Sequence, residues 1–156
     1  MKLKIKRLHK DAIIPVRAYE TDAGLDLFSI EQIIIPSGQV KKVKTGIAIQ
    51  LPDPYTMVTA NGEQFEVLTE AQVRPRSGLA ANRTITVLNA PGTIDFGYSS
   101  DISVLLYNAG SYSYEVQVGD KIAQLVVSSV LKPVIEVVDE LPETVRGSNG
   151  FGSTGK

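Results

Sequence analysis

Turn residues limit what this chain can fold into. Thirteen glycines and eight prolines break its 156 residues into short stretches rich in Val, Ile, Thr and Tyr. No stretch sustains an apolar period of 3.6 residues, so a helical fold is excluded. The strand pattern is repeated instead. Lys2-Leu3-Lys4-Ile5-Lys6 alternates polar and apolar residues, as a half-buried strand with a solvated lysine face does. Further strands are expected over 32–35, 40–43, 46–51, 55–60, 64–69, 72–74, 85–88, 102–107, 112–116, 121–129 and 134–138. Pro36-Ser37-Gly38, Pro52-Asp53-Pro54, Asn61-Gly62, Asn108-Ala109-Gly110 and Gly119-Asp120 separate most of them. Asn-Gly suits both left-handed positions of a two-residue hairpin turn, so 56–70 reads as an extended β-hairpin. Only 77–82 reads as a brief helical turn. The expected fold is all-β: a sandwich, jelly roll or barrel in one domain.

Composition removes several chemistries. The chain has no cysteine and one histidine, His9. That excludes a disulfide framework, a thiolate zinc site, a cysteine nucleophile and a multi-histidine metal site within one chain. The formal net charge of −1 argues against a strongly basic nucleic-acid binder. No apolar run approaches the roughly 20 residues of a membrane span. The basic start of the chain lacks the apolar region of a signal peptide. A cytoplasmic protein is expected.

Three regions carry chemistry. The tail Arg146-Gly147-Ser148-Asn149-Gly150-Phe151-Gly152-Ser153-Thr154-Gly155-Lys156 combines glycines, hydroxyls, an arginine and one aromatic ring. Such a segment is mobile by itself. It can also wrap phosphate with backbone N–H groups and lay Phe151 on a nucleobase. Arg74-Pro75-Arg76-Ser77-Gly78 sets cations and a hydroxyl at the start of the helical turn, a second anion candidate. Ser77 lacks the glycine before it that a hydrolase elbow needs, and no histidine lies nearby in sequence, so a serine triad is rejected. Asp22, Asp26, Asp95, Asp101 and Asp120 are isolated acids. Isolated carboxylates suit magnesium held mainly by a substrate's phosphates. Asp95 and Tyr98, beside Gly92, could hold a water and a base in one hairpin.

Five ordered segments together are more specific than any one. They are Asp22-Ala23-Gly24-Leu25-Asp26-Leu27, Pro75-Arg76-Ser77-Gly78-Leu79-Ala80, Asn89-Ala90-Pro91-Gly92-Thr93-Ile94-Asp95 with Tyr98, Gly119-Asp120-Lys121-Ile122-Ala123-Gln124-Leu125, and the glycine tail. In this the sequence resembles the trimeric dUTP pyrophosphatase (dUTPase) family. The resemblance implies a jelly-roll-like subunit, a distorted β-barrel, over residues 1–141, with a flexible arm over 142–156 that closes on the active site. It implies a homotrimer with shared sites. The implied reaction is magnesium-assisted hydrolysis of dUTP to dUMP and diphosphate, which supplies dUMP and keeps uracil out of DNA.

By motif position, Asp95 is implied to orient the water that attacks the α-phosphorus. Ser77, Gln124 and Arg146 are implied to assist the reaction at the phosphates, where Arg76 and Gly78 also bind. Asn89 and the backbone of Gly92, Thr93 and Ile94 are implied to read uracil, and Tyr98 to pack on deoxyribose. Asp26 would support Mg2+ through water. Phe151, Gly152, Ser153 and Thr154 would belong to the closing arm.

The chain departs from the family's usual pattern at Ser99-Ser100-Asp101, where a Gly-Glu pair is common, and at Asn149. The hairpin at 56–70 is an insertion relative to the family. It is either surface decoration or a contact surface for another protein. Two rival readings are a nucleotide-responsive binding protein using that hairpin, and the related dCTP deaminase, which shares the fold.

Overall fold

The computed structural model describes residues 2–52, 56–60 and 63–150. Strands β1 (Lys4–Arg7), β2 (Leu25–Phe28), β3 (Ile33–Ile35), β4 (Val40–Lys44), β5 (Ile47–Gln50), β6 (Thr56–Ala60) and β7 (Glu63–Arg74) come first. Helix α1 (Ser77–Arg83) follows. Strands β8 (Ile85–Val87), β9 (Gly92–Ile94), β10 (Ser103–Asn108), β11 (Tyr114–Val116) and β12 (Lys121–Lys132) complete the order. Every ladder is antiparallel. The fold is the expected all-β, jelly-roll-like one with one short helix.

The pleat explains the core. Along β10, Val104, Leu106 and Asn108 are buried while Ser103, Leu105 and Tyr107 are half-buried. The inward residues of all sheets meet in one apolar cluster that includes Leu27, Ile35, Val43, Ile47, Ile85, Leu106, Val116 and Leu125. Ser29, Thr45, Thr69 and Asn108 are buried polar residues, Asn108 the largest of them. Its Nδ2 donates to Ile35 O and Tyr112 O at 2.8 Å each, and its Oδ1 accepts from Gly110 N at 2.9 Å. The turn expected at Asn108 is thus built around a buried, fully bonded amide.

The largest sheet runs β2-β12-β7-β6, and β9 also pairs with β7. β6 and β9 share one edge of β7, along 63–67 and 71–73 respectively. The pair Ala60↔Glu63 closes β6 onto β7 in the register of a two-residue loop. That loop, Asn61-Gly62, lies outside the described residues. β12 carries a bulge between Lys121 and Ala123. Its mark is two consecutive buried residues, Ile122 and Ala123.

Some expectations are corrected. The strands expected over 64–69 and 72–74 are one strand, β7, because β12 pairs with it without interruption from Glu66 to Arg74. β2 and β9 were not among the expected strands. No strand forms over 134–138 despite its β-branched residues. Val134, Ile135 and Val137 are 94%, 88% and 93% exposed. The segment pairs with no strand among the described residues.

Candidate active site

One group of motif residues surrounds a cavity of about 230 Å3, lined by Val73, Asn89, Gly92, Thr93, Ile94, Asp95, Tyr98, Ile102 and Ser103. The segment forming it was expected to be a single hairpin. That is corrected: β8 pairs with β10 and β9 with β7, so 88–91 crosses between two sheets. The crossing contains a cis Ala90–Pro91 peptide. Gly92 is buried, and a Cβ there would stand 3.1 Å from Asn89 Nδ2. Glycine lets the Asn89 amide lie against β9, where Asn89 lines the cavity. After β9, Tyr98 N donates to Asp95 O at 3.1 Å, closing a turn that sets both side chains at the rim. Tyr98 Oη donates to Asp101 O at 3.0 Å, and Ser103 Oγ donates to Asp101 Oδ1 at 3.2 Å. The Ser99-Ser100-Asp101 departure therefore still anchors the tyrosine ring. Asp95 is exposed, and among the described residues no hydrogen bond or ion pair engages its carboxylate.

A second group centres on Asp26. Its side chain is only 12% exposed and holds two cations, Arg76 Nε at 3.0 Å on Oδ1 and Lys121 Nζ at 2.7 Å on Oδ2. Arg76 Nη1 also donates to Lys121 O at 3.3 Å. Arg76 stands at the N-cap of α1 without a side-chain capping bond, its guanidinium being committed to Asp26. Ser77 and Gly78 follow on the exposed first turn. Gln124 Nε2 donates to Pro75 O at 2.9 Å. Its amide fits only because residue 24 is glycine, since a Cβ there would lie 2.3 Å from Gln124 Oε1. Asp22, Asp26, Arg74 and Gln124 also line a cavity of about 380 Å3.

The two groups belong to opposite faces of one sheet. Asp26 pairs with Gln124 and Gln124 with Arg74, so these three share a face. Val73, paired with Gly92, points to the other. Arg146 joins neither group: its Nε donates to Asn149 O at 3.0 Å within the tail. Phe151, Gly152, Ser153 and Thr154 lie outside the described residues. Among the described residues, no three His, Asp or Glu side chains converge on a metal position. Asp26 already pairs with two cations, so a divalent ion here would be carried largely by a ligand's phosphates and would meet Asp26 only through water.

Lys121 and Ser103 were not singled out from sequence. Lys121 had a usable signal, since it lies three residues before Gln124 in the same motif.

Comparison with known proteins identifies the family. A family model described as dUTPase matches residues 10–62 and 63–155. The deoxyuridine 5'-triphosphate nucleotidohydrolase of Clostridioides difficile is 48% identical over 153 residues, covering 98% of this chain and 97% of that protein. Its counterpart in Gloeothece citriformis is 50% identical over 155 residues, covering 99% and 97%. Among solved structures, the dUTPase of Staphylococcus bacteriophage 80alpha with dUpNHpp superposes with a TM-score of 0.83 at 26% identity, covering 99% of each chain. With a family model matched over nearly its whole length and relatives about half identical to it, the chain belongs to the dUTPase family.

Proposed function

We propose that this protein is a dUTP diphosphatase that converts dUTP and water to dUMP and diphosphate. The observation that carries the reading is the 230 Å3 cavity with the unengaged Asp95 carboxylate at its rim. That volume is below the roughly 300–1,000 Å3 of a pocket for a whole drug-sized ligand, so it suits the nucleoside end alone. Asn89 and the backbone of Gly92, Thr93 and Ile94 read the uracil edge. Once a base covers these groups, one that leaves any of them unpaired loses about 1–3 kcal/mol. Tyr98, its hydroxyl tied to Asp101, packs on deoxyribose and leaves no space for a 2′-hydroxyl. Asp95 accepts a hydrogen bond from the attacking water, aligns it on the α-phosphorus, and takes its proton as the bond to the bridging oxygen breaks.

Arg76, Ser77, Gly78 and Gln124 hold the phosphates against the developing charge. Magnesium, when bound with the substrate, neutralises phosphate charge, and Asp26 is the side chain that would hold it through water. Arg146, Phe151, Gly152, Ser153 and Thr154 form an arm over 142–156 that closes on the loaded site and excludes water. Residues 1–141 form the β domain beneath it.

The opposite faces of the nucleoside cavity and the Asp26 group support sites shared between chains. A single chain cannot offer both to one nucleotide through its own sheet. We read the assembly as the homotrimer of the family, acting in the cytoplasm. Among the described residues no helix is long and apolar enough to cross a membrane.

Asp95→Asn tests the reading. Turnover of dUTP should fall by about 100-fold or more with the fold unchanged, since general-base groups contribute roughly 10²–10⁴. Retained turnover, or ammonia release from dCTP by the wild type, would overturn it. The hairpin at 56–70 is a separate matter. If it serves as a protein contact, its deletion should abolish partner recovery and spare hydrolysis.

A further inference from the structure

We propose that Lys121 is a positioning residue for phosphate binding, acting through Asp26 on Arg76. The inference rests on the phosphate role proposed above for Arg76. An arginine paired with one carboxylate is a neutral unit and attracts an anion weakly. Asp26 is 12% exposed, so water does little to screen its charge from Arg76. Lys121 changes the balance. Its ammonium takes the second carboxylate oxygen at 2.7 Å while Arg76 keeps the first at 3.0 Å. Two cations and one anion leave a net charge of +1 on the group.

Lys121 also aims the guanidinium. Arg76 spends Nε–H on Asp26 and one Nη1–H on the Lys121 carbonyl. A guanidinium has five N–H donors, so three remain, all on the two Nη atoms. They form the fork that matches two phosphate oxygens. The ammonium is itself held in place, standing 5.9 Å from the centre of the Phe28 ring. The bulge in β12 turns Lys121 to the same face of the sheet as Asp26 and Gln124.

The test compares wild type, Lys121→Met and Lys121→Arg as full-length proteins. Calorimetry measures binding of dUMP, dUDP and dUpNHpp, and steady-state assays measure dUTP turnover. Methionine keeps the apolar stem and removes the charge. It should weaken dUpNHpp about ten-fold, equivalent to about 1.4 kcal/mol. The loss should be smaller for dUDP and smallest for dUMP. KM for dUTP should rise in step with dUpNHpp while kcat changes less. Lys121→Arg should restore binding to within about two-fold, because it renews the charge on Asp26.

Equal losses for all three nucleotides with a lowered melting temperature would show a structural role and overturn the inference. So would unchanged dUpNHpp binding in Lys121→Met, or no recovery in Lys121→Arg. A wild type that binds these nucleotides but does not hydrolyse dUTP would overturn the hydrolase reading alone, since binding measures Lys121 independently of turnover.

Discussion

Gly24→Ala should damage activity far more than stability. The added methyl would stand 2.3 Å from Gln124 Oε1 and 3.3 Å from its Cδ. Non-bonded atoms do not share such space, so the amide must retreat by about 1 Å. It then loses its 2.9 Å bond to Pro75 O. A lost neutral hydrogen bond costs about 1 kcal/mol, and an off-rotamer side chain about 0.5–1.5 kcal/mol. Restricting the unfolded chain returns about 0.4–1 kcal/mol, because Gly24 does not need the left-handed region. The net loss is about 1 kcal/mol, or about 2–4 °C in melting temperature for a chain this size.

Catalysis is less forgiving. A 1 Å misplacement at a reacting site costs about 100-fold, or about 2.7 kcal/mol in transition-state terms. Steady-state dUTP kinetics and thermal melts of Gly24→Ala, Gln124→Ala and the double variant would measure both effects. The three atoms nearest the new methyl all belong to Gln124, so Gly24→Ala should be nearly silent once Gln124 is truncated. Losses that simply add in the double variant would refute the reasoning, as would a fully active Gly24→Ala.

Three further outcomes are expected. Asn108→Asp should cost about 3–5 kcal/mol in a urea titration, since it buries a charge against the Ile35 and Tyr112 carbonyls that now receive hydrogen bonds. Thr84, at the C-cap of α1, has φ 56° and ψ 32°. A left-handed β-branched residue is strained by about 1–2 kcal/mol, so after the entropy of glycine is subtracted Thr84→Gly should gain about 0.5–1 kcal/mol by the same titration. Burial first, and the Asp120 carboxylate second, raise the Tyr114 phenol above its ordinary 10.0, against the opposing pull of Arg83 and Arg76. The unfolded chain then gives up that proton first. The associated stability is whole below pH 10 and is lost as pH rises through the raised value. Tyr114→Phe should flatten that part of the alkaline loss when melts are compared from about pH 9 to 11.

Much of the site was legible because its chemistry is written in contiguous residues. Asn89 to Tyr98 runs through the crossing between two sheets, β9 and the turn after it, and the structure gathers most of it around one cavity. Arg76 and Gln124 were equally legible as motif members. Lys121 was legible only as a motif member, because a lysine in a strand reads as a solvated side chain and its partner Asp26 is distant in sequence. The fold was legible in kind and less so in detail. β9 has three residues, one of them a buried glycine, and its pairing with β7 fixes it more than its own propensity does. Residues 134–138 show the converse, a β-rich sequence that pairs with no strand among the described residues and stays exposed. Local preference proposes a strand, and only a partner makes one.

The bulge in β12 has a consequence for alignments. In a regular strand, residues that act on one face are separated by an even number of positions. Lys121 and Gln124 are three apart, yet both stand on the face of Asp26. The odd spacing is therefore a one-dimensional trace of the extra residue. Removing either Ile122 or Ala123 would leave Lys121 and Gln124 two apart, the even spacing by which a regular strand keeps both on one face. A relative with this motif one residue shorter should be read as having a regular strand in place of the bulge, with both groups still on the face of Asp26.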